Sequence, residues 1–319
     1  MGKTGRDMEN YLRRYKLGRP VLAPTENEGD FDSKEVDCAN VIVKDGIFYM
    51  TYAGWDGTVN RIGLAKSRDL IHWERIGLIL DIGDEKDWDS GSVSGPYIYQ
   101  ENEFYYLFYV GFPKLGYENG PGAIGFATST DLLHWEKSAY NPVLKNIPGK
   151  DWELGGLYKP CVIKVENKYL IFYNAKDSEK GFWHERIGMA ISRDLISWEK
   201  YENNPILDNG PDSSWDNRFV GDPHIVRIDN LWHMFYYGFD GERAQEGVAI
   251  SSDLINWKKS EFNPIIKTGK DGDIDEKYTH KPCVINFEKI WYHFYTAVSK
   301  NGERVITLAT SEPFWIVKK

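Results

Sequence analysis

The chain is built from short runs in which apolar and polar side chains alternate. Val162-Ile163-Lys164-Val165 and Tyr169-Leu170-Ile171-Phe172-Tyr173 are two such runs, parted by Glu166-Asn167-Lys168, and Lys44-Asp45-Gly46 makes a similar break earlier. A period of two, rich in β-branched and aromatic residues, predicts strands joined by tight turns. The runs also recur as a group. Ile124-Gly125-Phe126-Ala127-Thr128-Ser129-Thr130-Asp131-Leu132, then Trp135 and Asn141-Pro142-Val143-Leu144, is echoed around Ile62–Trp73, Ile187–Trp198 and Gly247–Trp257. An eroded copy runs from Ile306 to Trp315. The marker serines Ser67, Ser129, Ser192, Ser251 and Ser311 stand 62, 63, 59 and 60 residues apart.

The rest of each copy falls into the same frame. Trp88-Asp89, Trp152-Glu153 and Trp215-Asp216 each precede a Gly/Lys/Asp-Pro step by seven residues, and Phe31-Asp32 and Ile274-Asp275 keep the spacing. After that step come two strands, then the marker strand, then a fourth around the second Trp. So long a period, made of short strands, predicts a radial array of small sheets. The expected fold is all-β: a five-bladed β-propeller of four-stranded antiparallel blades, one domain over residues 1–319. The fifth copy lacks Asn-Pro-Val-Leu, whereas Arg19-Pro20-Val21-Leu22 stands unpaired at the start. Since an open ring would expose strand edges, residues 10–22 are expected to complete the last blade, with residues 1–9 frayed.

Composition narrows the partners. A formal charge of −9 and a pI near 5.4 disfavour nucleic acid and anionic membranes. No apolar run is long enough to span a bilayer. The start, Met1-Gly2-Lys3-Thr4-Gly5-Arg6, has no apolar core behind it. A cytoplasmic location is therefore expected, or a secreted one if a leader has been removed. Cys38, Cys161 and Cys283, odd in number and on inner strands, are expected as free thiols. Aromatic residues make up 15% of the chain, with 12 Trp and 20 Tyr, which suits β-structure and sugar-stacking surfaces alike. Nothing in the sequence sets an oligomeric state.

In a propeller the first strand of each blade lines the central channel, and strand ends and loops converge on one concave face. Just before the Pro-equivalent stand Cys38, Gly95, Lys159, Asp222 and Lys281, and one residue earlier Asp37, Ser94, Tyr158, Gly221 and His280. Just after it come Asn40, Tyr97, Cys161, His224 and Cys283. Loops between the second and third strands bring Trp55-Asp56, Phe112, Lys176-Asp177, Phe182-Trp183-His184 and Phe239-Asp240 to the same face. Aromatic rings beside carboxylates suit sugars, the ring stacking on C–H faces and the acid taking hydroxyls. Trp55 and Trp183 are the expected platforms.

These motifs, with Asp222-Pro223-His224-Ile225-Val226 opening an inner strand, resemble the five-bladed glycosidase superfamily over nearly the whole chain. That group includes glycoside hydrolase families 43, 32, 68, 117 and 130. The resemblance implies an inner-strand Asp in blade one, another in blade three and an acid in blade four. Here Asp37 lies one residue early, Lys159 stands in the second slot, and Asp222 replaces the usual Glu. It also implies that His224 could face a channel ion, Ca2+ or another; no other cofactor is expected. A Cys161–His224–Cys283 zinc set is the competing reading, against simple packing of small thiols.

Glycosidic cleavage needs one acid to protonate the leaving oxygen and one base or nucleophile opposite it, with their pKa values held apart. Asp37 and Asp222 are the leading pair, with Glu153 a further candidate because it alone departs from Asp in the Trp-acid set. Neighbouring Lys159 and Lys281 would favour an ionised Asp222 and leave Asp37 as acid, while the superfamily order suggests the reverse. Expected substrate contacts are Trp55, Asp56, Tyr158, Lys159, Asp177, Trp183, His184, His224, Asp240, His280 and Lys281. The expected function is hydrolysis of a small oligosaccharide. The alternatives are a family-130-like phosphorylase, with Lys159, Lys281, His280 and Arg218 holding phosphate, and a sugar-binding propeller without catalysis.

Overall fold

The computed structural model describes residues 14–317, so the expectation for residues 1–9 lies outside the described part. The chain is all-β. Its strands form two four-stranded antiparallel sheets and one twelve-stranded sheet. The first sheet holds Glu35–Lys44, Ile47–Trp55, Asn60–Ser67 and Glu74–Leu80, and the second holds Ser92–Glu101, Phe104–Phe112, Ala123–Ser129 and Glu136–Lys137. The large sheet joins three further meanders, opening with Gly156–Val165, Phe219–Ile228 and Tyr278–Phe287. Single parallel pairs, Glu185 with Phe219 and Ala244 with Tyr278, link them. At the chain start, Tyr15 and Lys16 pair with Thr310 and Ala309, and Leu22 bridges Ile306.

A buried acid ties each unit together. Asp32, Asp89, Asp216 and Asp275 each accept a hydrogen bond from a buried Tyr twenty residues on, namely Tyr52, Tyr109, Tyr236 and Tyr295, at 2.8–3.2 Å. Each also meets a cation of the outer edge: Arg75, Lys137, Lys259 and Lys16, at 2.6–2.9 Å. Glu153 holds the same place in the third unit, bonded to Lys200 at 2.7 Å and to the Ile147 N–H at 2.8 Å. It is fully buried. Glu153 is therefore a structural tie and not a catalytic residue, which corrects the sequence expectation. Its extra methylene lets it serve from a 3-10 turn, Asp151–Glu153.

The five opening strands pack against one another in cyclic order, the last against the first. Hydrogen bonds stitch them. The Ile98 N–H donates to Asn40 Oδ1 at 2.9 Å, the Ile225 N–H to Cys161 Sγ and the Val41 N–H to Cys283 Sγ, both at 3.3 Å. The thiols are free and buried. Burial pushes Cys161 up to about 11 and Cys283 up to about 12, so both stay protonated. His224 donates from Nε2 to the Val284 carbonyl at 3.0 Å. These three residues thus serve as ties between units, in place of the zinc set or the channel-ion ligand considered above. Among the described residues no His/Cys/Asp/Glu group has metal-binding geometry.

Candidate active site

All five opening strands break register at the same point, between Asp37 and Asn40, Ser94 and Tyr97, Tyr158 and Cys161, Gly221 and His224, and His280 and Cys283. At each break one residue adopts a left-handed backbone: Cys38, Gly95, Lys159, Asp222 and Lys281, with φ between 39° and 64°. Four of the five carry a side chain, and that conformation is uncommon without glycine. Such bulges re-aim side chains and are concentrated near active sites. They bring Lys159, Asp222 and Lys281 together, close enough for both lysines to act on the Asp222 charge.

Asp37 is surrounded by donors. Its Oδ2 meets Lys281 Nζ at 2.6 Å, the Tyr117 hydroxyl at 3.1 Å and Arg304 at 3.4 Å. Its Oδ1 accepts from the Thr296 hydroxyl at 2.6 Å and the Cys38 N–H at 2.8 Å. Burial would raise this carboxyl, but Lys281 and Arg304 outweigh it and hold Asp37 well below the usual carboxylate range. Asp222 is the opposite case. Burial raises it, Lys281 and Lys159 only partly offset that, and it is pushed up to about 7. Its Oδ2 is buried without a hydrogen-bond partner. This reverses the expectation drawn from neighbouring lysines, because burial of the carboxyl outweighs the two ammonium charges.

A second carboxylate stands beside Asp222. Glu185 accepts from the Tyr237 hydroxyl at 2.7 Å, Asn174 Nδ2 at 2.9 Å and Trp183 Nε1 at 3.2 Å. Asn174 also takes the Asp222 N–H on its Oδ1 at 3.3 Å, so one amide spans both acids. A Cβ on Gly221 would lie 3.2 Å from Glu185 Oε2 and 2.7 Å from the Tyr237 ring, which makes glycine a packing requirement there. Glu185 borders a cavity of about 220 Å³ that His280, Lys281, Arg304 and Trp183 also line. Trp183 stacks on Phe219, centroids 5.7 Å apart. Arg218 lies over the same rings, 4.9 Å from Phe219 and 5.5 Å from Trp183.

The other expected residues divide. His280 donates from Nδ1 to the Thr296 carbonyl at 3.0 Å, and its Nε2 faces Arg304 at 3.2 Å. Burial and Lys281 bring it down to about 3, so it is a neutral wall and not a proton donor. Tyr158 borders a larger cavity of about 540 Å³. Lys159 points to the Pro96 carbonyl at 3.3 Å. Trp55 meets the Tyr117 ring edge-on at 5.9 Å. Asp56, Asp177 and Asp240 cap their own loops: Asp56 on the Thr58 and Val59 N–H groups and Arg61, Asp177 on the His184 N–H and Arg186, Asp240 on the Glu242 and Arg243 N–H groups. His184 leans on Asp177 at 3.2 Å. These four hold loop shape, and none of them lines the cavity beside Glu185.

Four residues were missed by sequence reasoning: Tyr117, Glu118, Glu185 and Arg304. For two of them a signal existed. The slot seven residues before each marker serine reads Asn60, Gly122, Glu185, Ala244 and Arg304, so charge enters it twice. Tyr117 and Glu118 lie in the second unit's loop between its second and third strands, which is longer than its counterparts and matches none of them in sequence.

Known proteins resemble this chain in sequence and in fold. The β-1,2-mannobiose phosphorylase of Thermoanaerobacter sp. (strain X514) is 32% identical over 130 residues, 37% of this chain and 42% of that protein. The solved BT0996 RGII complex superimposes with a TM-score of 0.83 at 27% identity, covering 97% of this chain and 94% of its own. A solved structure named only "Glycoside hydrolase" has the same score and identity, covering 98% and 96%. The sequence profile of the glycosyl hydrolases family 32 N-terminal domain matches residues 94–267, which hold Asp222, Glu185 and Asn174. By that match, and by the repeat that runs through it, this protein belongs to the family of the glycosyl hydrolases family 32 N-terminal domain.

Proposed function

We propose that this protein is a glycoside hydrolase acting on small oligosaccharides, with its five units closed as five four-stranded blades around the site. The closure rests on Lys16, which meets Asp275 from the N-terminal segment just as Lys137 meets Asp89 from a fourth strand. One observation carries the chemistry. Glu185 lines an aromatic-walled cavity, and Asn174, which donates to Glu185, accepts the backbone N–H of Asp222, whose buried carboxyl is pushed up to about 7. Asp222 gives its proton to the glycosidic oxygen as the C–O bond breaks, and Glu185 serves the anomeric carbon as nucleophile or as base for water. Water supplies the hydroxyl and returns the proton. Asp37, with its lone pairs committed, fixes Lys281 and Arg304 and takes no proton.

Phosphorolysis is the second reading, favoured by the resemblance to the mannobiose phosphorylase. It is the weaker one because the cations that line the cavity are already paired, Lys281 with Asp37 at 2.6 Å, Arg304 with Glu35 at 3.1 Å and Lys176 with Glu118 at 2.7 Å, while Lys159 and Arg218 hold backbone carbonyls. Phosphate would have to displace these carboxylates.

The test is a screen against oligosaccharides of mannose, arabinose, fructose and galacturonate, and against RGII, named in one neighbour, with and without phosphate. Turnover without phosphate that Asp222→Asn and Glu185→Gln abolish is the expected result. Turnover only with phosphate would replace hydrolysis by phosphorolysis. Full activity in both variants would remove the pair from the mechanism.

A further inference from the structure

Four side chains border both cavities: Tyr117, Glu118, Lys176 and Trp183. The smaller cavity, about 220 Å³, also holds Glu185. The larger, about 540 Å³, runs on past Tyr158 and Lys180. The shared wall is assembled from several units. Tyr117 and Glu118 lie in the second unit's loop between Phe104–Phe112 and Ala123–Ser129. The Tyr117 hydroxyl reaches Asp37 of the first unit at 3.1 Å, and its ring lies 5.2 Å from Arg304 and 5.8 Å from Lys281 of the fifth. Glu118 reaches the other way, to Lys176 Nζ of the third unit at 2.7 Å. That ammonium lies 4.0 Å from the Tyr158 ring and 5.5 Å from the Trp183 ring.

This loop is held under strain. Glu118 is not a glycine, yet its φ is 47°. A residue in that region persists only where its surroundings over-determine it, at a cost of about 1–3 kcal/mol. Here the ion pair and the two rings over-determine it. The lysine stem is mostly covered, with 13% of its side chain exposed, so the bridge is a fixed wall and not a loose surface pair.

Resting on the hydrolase reading, we propose that the Glu118–Lys176 bridge divides the site into a one-ring subsite beside Glu185 and an outer groove, so that the enzyme cuts sugars one at a time from a chain end. The volumes support it. Pockets that enclose drug-sized ligands span about 300–1,000 Å³. The smaller cavity, at about 220 Å³, lies below that span, with room for one ring, while the larger, at about 540 Å³, lies inside it. The interior of a chain would have to pass through the bridge to present an internal bond to Glu185. A terminal ring need only enter from one side.

Reducing-end-labelled oligosaccharides of mannose, arabinose, fructose and galacturonate, with products followed by mass spectrometry, test this. The wild type should shorten the chain one ring at a time. Lys176→Met and Glu118→Gln should release two-ring or longer products early in the reaction and raise KM for short chains more than they change kcat. Glu118→Gln keeps the side-chain shape, and near-UV circular dichroism confirms that each variant is folded. Longer products from the wild type at the outset, or an unaltered one-ring pattern in both folded variants, would overturn the partition. Undiminished activity in Asp222→Asn would instead overturn the catalytic reading, whatever the product pattern.

Discussion

Lys281 Nζ lies 2.6 Å from Asp37 Oδ2, and this contact helps hold Asp37 ionised in the site where burial pushes Asp222 the other way. Lys281 and Arg304 hold Asp37 ionised, whereas burial pushes Asp222 up to about 7 and Lys281 and Lys159 only partly offset it. Both partners of the pair are buried, with side-chain exposures of 9% and 5%. Removing one leaves the other charge without compensation. Asp37→Asn should therefore destabilise the fold by about 3–5 kcal/mol. Urea denaturation measures it; a change within error would show that Arg304 and solvent replace the pair.

Asp222 should couple stability to pH. Unfolded, its carboxyl binds a proton only below its ordinary value of 3.8; folded, it holds one up to about 7. Its contribution is fully present below 3.8 and is lost as pH rises through 7, where the native state must ionise a buried acid. Asp222→Asn removes that loss. The variant should be more stable than the wild type at pH 8 by several kcal/mol, at most about 4, and should lose the advantage toward pH 4. Denaturant melts of both proteins across that range check it.

The same acid should be visible without turnover. Infrared difference spectra should show a protonated carboxyl C=O band at pH 6 that fades as pH rises through 7. Asp222→Asn should delete the band. Asp37→Asn, where it folds, should leave it in place, shifted to lower pH because Lys281 becomes free to favour the Asp222 carboxylate.

A second polar pair sits where the repeat specifies oil. Counting from the marker serines, Glu246 takes the slot of Ile62, Ile124, Ile187 and Ile306, all fully buried. As the fourth residue of its strand, Ile290–Val298, His293 takes the slot of Met50, Leu107, Ile171 and Met234, also fully buried. The two meet at 2.5 Å, and Arg14 donates to His293 Nδ1 at 3.2 Å. Burial holds Glu246 up and His293 down, so the pair is neutral, and Glu246→Ile or His293→Met alone leaves a buried polar partner unsatisfied at a cost of about 1–3 kcal/mol. The double change restores the repeat residues and should recover most of it. Strictly additive losses in a double-mutant cycle would contradict this.

The sequence revealed most of the fold because each unit repeats its own signals. The Ser-x-Asp-Leu turns, the Trp-acid frame and the twin strands recur at fixed spacing, so one copy corrects another. Arg19-Pro20-Val21-Leu22 could be assigned to the last sheet because the fifth copy lacked that segment. The site was legible only where it departs from the repeat at a known slot, as Asp222 and Lys281 do. Glu153 misled because its departure, Asp to Glu, adjusts a structural tie to a local turn. Tyr117 and Glu118 sit in a loop longer than its counterparts in the other units, so no alignment of copies could place them. The protonation of Asp222 was illegible for a different reason. It depends on how completely the packed units bury the carboxyl, which no slot of the repeat records.

Asp222 as the proton donor is tested most directly by varying the leaving group. For a sugar that the protein cleaves, rates are compared for its alkyl glycoside, which needs protonation to depart, and its dinitrophenyl glycoside, which does not. Asp222→Asn should lose at least about 10²-fold on the alkyl glycoside and keep most of the wild-type rate on the dinitrophenyl one. Equal losses on both substrates, or no loss on either, would contradict the assignment of Asp222 as the acid.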